Sequence, residues 1–337
     1  MGAVLASALF AWIGWTQARA RTAGGASSSA ASARVLRVGH GLPTSHPVHT
    51  GILHFAERVA AVSGGALHLE VFPNEQLGNE TQCLEQVQAG TLDITKVNAS
   101  QLGNFIGRVS VFGLPYLFRD ANHFWAFLDG PDGQSLLAGL HTADNGNPSG
   151  IQGLAYYDGG SRSFYGKDPI TTPDDLRGRK YRVMNDPVAM DMVQAFGASP
   201  TPISYGELYT ALRQGVVDGA ENNPASFVTS RHFEIAKHYS LDEHTRIPDV
   251  LLVSDLVWKS LDTRQQAWLR QAAEESGRFQ RRIWAEETEK SFAAMRAAGV
   301  TIHTVDTAAF RARTADLVKR YETGPAGELM RKIRETP

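Results

Sequence analysis

Cysteine is nearly missing from this chain: Cys83 is the single one, so no internal disulfide can form and no thiolate cluster can hold a metal. Excess charge is missing too, with 33 Lys and Arg against 35 Asp and Glu, and with it the basic footprint of a nucleic-acid binder. No nucleophile motif, phosphate-cradling loop or metal constellation is visible, which weakens an enzyme reading. His40, His46 and His49 are close in sequence, but their spacing matches no zinc pattern and no acidic partner precedes Glu57. Neither metal nor cofactor is therefore expected. No internal repeat stands out, and the only biased stretch is the Ala/Ser segment before Arg34.

An uncharged apolar run, Ala3 to Trp15, is shorter than the ~20 residues that span a bilayer. Small-residue cleavage candidates follow it at Ala18-Arg19-Ala20 and Ala31-Ser32-Ala33, which reads as a secretory signal peptide over residues 1–33, with an uncleaved anchor as the alternative. Its removal takes away Arg19 and Arg21 and no acid, for a mature net charge of −4. Cys83 lies far beyond the place of a lipid-attachment cysteine, so a soluble periplasmic protein is expected.

From Leu36 onward, strands and helices alternate. LRVGH reads as a strand, Val48 to Val62 as a helix closed by Gly64 and Gly65, and LHLEVF as a second strand. Glu80 to Gln88 reads as a helix closed by Gly90, and LDITKVN as a third strand. This order predicts an α/β fold with a parallel sheet and right-handed crossovers. Ligands of such sheets collect beyond the carboxyl ends of the strands, so His40 to His46, Asn74 to Glu80 and Lys96 to Ser100 should face one crevice. Composition marks Asp129 to Gly133 and His141 to Gly150 as loops. SRHFEIAKHY reads as helical and Val250 to Val253 as a returning strand. Leu261 to Ala298 keeps helical apolar spacing through Gly277 and is longer than a usual globular helix. VTIHTVD is a final strand and Ala308 to Tyr321 a terminal helix.

The stretch from Leu176 to Pro224 carries the most chemistry. Arg179, Lys180 and Arg182 flank a short strand, and Asn185 with Asp186 open the next helix, an arrangement suited to an anion. A guanidinium is planar, permanently charged and weakly hydrated, so Arg182 can hold a carboxylate bidentately in a closed cleft. Asp218 and Glu221 could form a catalytic acid pair for glycoside chemistry, or simply hold a loop and neutralise arginines.

GRKYRV, GASPTP and ELYTALRQGVVDGAEN, with their spacing, resemble the solute-binding (DctP-like) subunits of TRAP transporters, which capture organic acids in the bacterial periplasm. GHGLPTSHPVHTG, FPNEQLGNE and GTLDITKVNAS continue the likeness, which covers almost everything after the signal. It implies a two-lobed α/β binding protein with an interlobe cleft and a long helix shared by both lobes, the lobes lying near residues 35–159 plus 248–285 and 160–247 plus 286–337. FGLPYLFRD would be the apolar connector between them.

By the same resemblance, Arg182 clamps the ligand carboxylate and Asn222 assists, while His46, Glu80 and Asn98 face the ligand with Lys96 two residues earlier on the same strand face. Arg162 falls where the family often has an arginine, and pairing with Asp158 is its alternative role. Tyr205 is placed to stack on a sugar-like face, with core packing as the competitor.

SHPVHTG, YYDGGSRSFY, GELYTALRQGVVDGAENNP and SRHFE look closer to the hexuronate-binding branch than to the sialate or C4-dicarboxylate branches. One arginine fork suits a monocarboxylate, and His46, Glu80, Asn98, Asn185 and Asn222 offer ring hydroxyls both donors and acceptors. If Lys96 acts as a second cation, a C4-dicarboxylate or keto-sugar acid is the runner-up. The expected partners are a small organic acid and the TRAP membrane permease subunits, with no nucleic acid and a monomeric chain. A secreted carbohydrate-active enzyme is one rival class, and a binding module of another transport class or a sensor-linked receptor is the other.

Overall fold

The computed structural model describes residues 33–337; the signal segment expected ahead of them lies outside the described residues. Among those residues no helix is long and apolar enough to cross a membrane.

The chain builds two sheets. The first begins with β1 (Arg34–Gly39), α1 (Pro47–Val62), β2 (Leu67–Phe72), α2 (Glu80–Ala89) and β3 (Ile94–Asn98). β1 runs parallel to both β2 and β3, the arrangement that strand–helix–strand alternation dictates. Three helices follow: α3 (Ala99–Leu102), α4 (Ala121–Asp129) and α5 (Pro131–Ala138). α5 occupies a stretch that composition assigned partly to a loop. Pro131 starts it, and Gly133 is there for close approach, since a Cβ would stand 2.3 Å from the Phe127 carbonyl oxygen. The first sheet is completed by β4 (Ile151–Tyr157) at its edge.

The second sheet takes β5 (Ser161–Gly166), β6 (Lys180–Val183), α6 (Pro187–Ala195), β7 (Ser199–Pro202), α7 (Leu208–Gln214), β8 (Gly219–Asn222), α8 (Pro224–Thr229) and β9 (His238–Arg246). The helix expected over SRHFEIAKHY is only a 3-10 turn, His232–Glu234, because Arg231 adopts φ +58° and the chain then extends into β9. β10 (Asp249–Ser254) returns to the first sheet and inserts between β3 and β4, antiparallel to both. The first sheet is therefore mixed rather than parallel. A strand arriving from another lobe is not bound by the crossover rule that governs its neighbours.

After α9 (Asp255–Ser260) comes α10 (Thr263–Ala297), opened by a capping box between Asp262 and Gln265. Its Leu269, Ala272 and Ala273 join the core of the first sheet with Phe55 and Val59, while Met295 joins the core of the second with Tyr165 and Phe227. One rigid rod thus touches both lobes. β11 (Thr301–Thr304) pairs parallel with β9 at the edge of the second sheet. The terminal helical stretch breaks at Thr314 into α11 (Thr307–Arg313) and α12 (Ala315–Arg320). α13 (Gly327–Glu335) then buries Leu329, Met330 and Ile333 against Phe124 and Phe127 beside the first sheet. The architecture is two-lobed α/β. The apolar connector spans the lobes as well, with Phe112, Leu114 and Leu117 in the first lobe's core and Tyr116 packed on the second's.

Candidate functional site

Strand ends and loops from both sheets converge on one cleft enclosing about 550 Å³ of atom-free space, open solvent at its mouth included. His46, Glu80, Lys96 and Asn98 line it from the first lobe, and Arg162, Arg182, Tyr205 and Asn222 from the second. Hydrogen bonds that join its two walls include His46 Nε2 with Ser226 Oγ at 3.1 Å, Gly206 N–H donating to Glu75 Oε1 at 3.1 Å and Asn223 Nδ2 donating to the Gly159 carbonyl at 2.9 Å.

Arg162 projects from β5 and is fully engaged. Its Nε and Nη2 bind Glu221 Oε2 and Oε1 at 2.5 and 2.8 Å, and Nη1 donates to Asn222 Oδ1 at 2.9 Å. Glu221 also meets His244 Nε2 at 3.3 Å, and His244 Nδ1 meets Asp242 at 2.7 Å. Burial alone would raise the Glu221 carboxyl, but Arg162 and His244 overcome it and hold it at about 2. Burial would likewise lower His244, yet Asp242 and Glu221 push it up to about 9. The result is a buried, charge-balanced chain that fixes the Asn222 side chain by its oxygen. The Asn222 amide nitrogen is thereby left to face the cleft.

Arg182, contributed by the four-residue strand β6, is buried as well but is not engaged in this way. It is 3% exposed, its Nε donates to the Ile203 carbonyl at 2.9 Å, and its Nη1 is buried with no partner. Among the described residues no carboxylate lies within ion-pair distance of it. Burial pulls its pKa below the usual arginine value, with Glu221 only partly opposing. A buried cation without a counter-ion is costly, and a fork aimed into a cleft is chemically suited to a carboxylate. The Tyr205 ring lies 5.9 Å from the guanidinium carbon, its hydroxyl anchored to Ser230 Oγ at 2.6 Å and the Ser226 carbonyl at 3.2 Å.

On the opposing wall Lys96 is held between Glu80 at 3.3 Å and Asp249 at 3.2 Å. Burial would lower its pKa, but the two carboxylates raise it, so the ammonium stays charged and neutralised. Glu80 Oε2 also accepts from the Gln101 side chain at 2.8 Å, and its Oε1 from the Asn98 backbone N–H. Asn98 caps α3, its Oδ1 accepting from Ser100 Oγ at 2.9 Å, which leaves its amide nitrogen for the cleft. His46 caps α1 through Nδ1, which accepts from Val48 N–H at 3.2 Å. Its ring proton is consequently on Nε2, toward Ser226 and the cleft. Burial, with Lys96, His40 and His49, keeps this imidazole neutral. His40 and His49 bond each other at 3.0 Å, and no group of three metal-ligating side chains occurs among the described residues.

Eight of the nine residues singled out in the sequence therefore line one cleft. Asn185 does not: it is exposed in an adjoining recess, its carbonyl accepting from Asn104 at 2.8 Å. Arg162 pairs with Glu221 rather than Asp158, which instead accepts from Trp125 Nε1 at 3.2 Å and Gly160 N–H at 2.8 Å. Asp218, the other acid of the suspected catalytic pair, is exposed and accepts from Lys180 N–H at 2.8 Å. Glu75, Asp249 and Ser226 also line the cleft and were not anticipated. Glu75 falls within the Asn74–Glu80 loop expected at the crevice, so its location was legible though its role was not. Asp249 precedes an apparent strand, and only the antiparallel insertion of β10 puts that end at the cleft.

The DctP family model, bacterial extracellular solute-binding protein, family 7, matches residues 38–324. A solved TRAP periplasmic solute-binding protein from a Bradyrhizobium species, in complex with α/β-D-galacturonate, is 39% identical. It superposes with a TM-score of 0.85, covering 90% of this chain and 100% of that one. Another from Roseobacter denitrificans, with bound β-D-glucuronate, is 36% identical with a TM-score of 0.85 over the same shares of the two chains, 90% and 100%. The 2,3-diketo-L-gulonate-binding periplasmic protein of Escherichia coli (strain K12) is 31% identical over 280 residues, 82% of this chain and 83% of its own.

Proposed function

This chain belongs to the DctP family of TRAP solute-binding proteins, and from that premise we propose that it captures a hexuronate such as D-galacturonate or D-glucuronate in the periplasm and delivers it to TRAP membrane permease subunits. The observation that carries the reading is Arg182, a buried guanidinium with an unpartnered Nη1 facing a polar cleft in which the other two cations are already neutralised. Among the described residues that leaves one free cation in the cleft, to match one carboxylate. The amide nitrogens of Asn98 and Asn222, the Nε2–H of His46 and the acids Glu75, Glu80 and Asp249 then suit ring hydroxyls, which both donate and accept.

A C4-dicarboxylate would call for a second free cation, and the engagement of Lys96 by two acids argues against it. A keto-sugar acid is the second reading, favoured by the likeness to the diketogulonate binder. Binding without turnover is part of the proposal. Glu221 is tied to Arg162 and His244 and exposed Asp218 lies outside the cleft lining, so neither is placed as a general acid.

Capture proceeds by closure of lobes at residues 35–159 plus 248–285 and 160–247 plus 286–326, with 327–337 returned to the first lobe on the packing of Leu329, Met330 and Ile333. The ligand favours the closed state because it touches both walls. The cleft is complete within one chain, which supports a monomer.

A thermal-shift and calorimetric screen of uronates, aldonates, keto acids and C4-dicarboxylates tests the substrate. Stabilisation by malate or succinate and none by either uronate would overturn the sugar-acid reading. Mass spectrometry should recover the bound acid unchanged, and small-angle scattering should show contraction on saturation.

A further inference from the structure

Three acids line the cleft, and two of them share a cation. Glu80 and Asp249 both reach Lys96, whereas Glu75 has no Lys, Arg or His within ion-pair distance among the described residues. Its carboxylate bridges the lobes instead, Oε1 accepting from Gly206 N–H at 3.1 Å. The fit is tight: a Cβ on Gly206 would stand 2.5 Å from Glu75 Oε2. The backbone beneath is held in place as well. Asn74 and Glu75 adopt φ +56° and +58°, a region that side-chain-bearing residues occupy at a cost. Their amides donate to the Leu42 and His40 carbonyls at 3.1 and 3.2 Å. Glu75 is therefore a fixed acid in the cleft, and its Oε2 takes no hydrogen bond from the described residues.

Arg162 with Glu221 is neutral, and Lys96 with Glu80 and Asp249 carries one negative charge, equal in number to the positive charge of Arg182, which pairs with none of these acids. Glu75 then leaves the cleft one negative charge in excess before any ligand enters. We propose that Glu75 is a specificity-determining residue that confines this cleft to acids with a single carboxylate, rejecting the diacid of the same carbon skeleton while its Oε2 accepts a ligand hydroxyl. The physical basis is that a second ligand carboxylate would meet a half-buried acid with no cation of its own to screen it. Burial already raises the Glu75 carboxyl, partly offset by Gly206 N–H, with Glu80 and Glu207 adding to the rise and Arg182 opposing it. The wall resists further negative charge.

The inference rests on the hexuronate reading for its choice of ligands. Calorimetry on the mature chain compares galacturonate with galactarate, which carries a second carboxylate at C1, in the natural protein and in Glu75→Gln and Glu75→Ser. The natural protein should prefer galacturonate, and the ratio of galactarate to galacturonate affinity should rise at least about tenfold in both variants. An unchanged ratio, or natural protein that binds galactarate as tightly as galacturonate, overturns the role of Glu75. If the natural protein binds glucuronate but not galacturonate, the ratio is read on glucuronate and glucarate instead; if it binds neither uronate, the hexuronate reading falls, and the same ratio is measured on succinate and 4-hydroxybutyrate, where no rise again overturns Glu75. Absence of binding by all of these acids to all three proteins overturns both.

Discussion

Arg162 and Arg182 sit on the same wall, are both buried, and have opposite roles. Arg162 is met on Nε and Nη2 by one carboxylate and on Nη1 by Asn222, so its charge is spent inside the protein and what it presents to the cleft is the fixed orientation of an amide. Among the described residues Arg182 donates only to the Ile203 carbonyl, with the Tyr205 ring beside its guanidinium, and no acid pairs with its charge. Burial lowers the pKa of Arg182, whereas for Arg162 the same burial is overcome by Glu221. A cation's function in a cleft is thus set by whether a neighbouring acid has already answered it.

The sharpest way to break this comparison is to remove each arginine and measure stability. Arg162→Ala leaves Glu221 as a buried carboxylate with only His244 beside it, which should cost about 3–5 kcal/mol in chemical denaturation. Arg182→Ala relieves a desolvated cation and should leave stability within about 1 kcal/mol of the natural protein or raise it. Equal destabilisation by both variants would show that Arg182 is structural.

Binding should divide the other way. Arg182→Ala, folded, should weaken hexuronate binding by about thirtyfold or more, because the ligand carboxylate loses its buried partner. Arg182→Lys should recover only part of this, since an ammonium lacks the planar fork. Unchanged affinity in calorimetry would remove Arg182 from the site.

The network behind Arg162 should have a pH signature that Arg182 lacks. His244 is raised from 6.5 to about 9 in the folded protein, so its contribution is complete below 6.5 and lost as pH rises through 9. Glu221 is lowered from 4.5 to about 2, so its contribution is complete above 4.5 and lost as pH falls through 2. Stability should accordingly fall between pH 6.5 and 9 by on the order of 3 kcal/mol, and His244→Gln should flatten that limb. A natural protein whose stability is level across this window would refute the charged His244.

The smallest effect concerns the residue beside Arg182. Tyr205→Phe removes the hydroxyl that bonds Ser230 and the Ser226 carbonyl while retaining the ring. Affinity should drop by only about fivefold, about 1 kcal/mol, with stability changed by a similar amount in thermal denaturation.

Much of this was legible because it is local. The helix from Glu80 and the long helix ending at Ala297 have capping boxes, Asn79 with Gln82 and Asp262 with Gln265, whose donors and acceptors lie three residues apart. The β1–β2–β3 order follows from short parallel crossovers. Arg182 stood out because a cation at a strand end before a helix start is a short-range pattern. The expected helix over SRHFEIAKHY failed for an equally local reason, a left-handed Arg231, which residue type alone did not signal.

What the sequence determined, then, is most of the elements, the family likeness and which loops meet, since periodicity, capping and strand ends depend on neighbours a few residues away. Only the tertiary structure decided which charges remain available. Arg162 to Glu221 spans 59 residues and Lys96 to Asp249 spans 153, and Asp249 reaches the cleft only through the antiparallel insertion of β10. Whether a buried arginine is answered or free depends on distances of about 3 Å between such remote groups, because a hydrogen-bonded ion pair forms only at that separation and leaves no periodic trace along the chain.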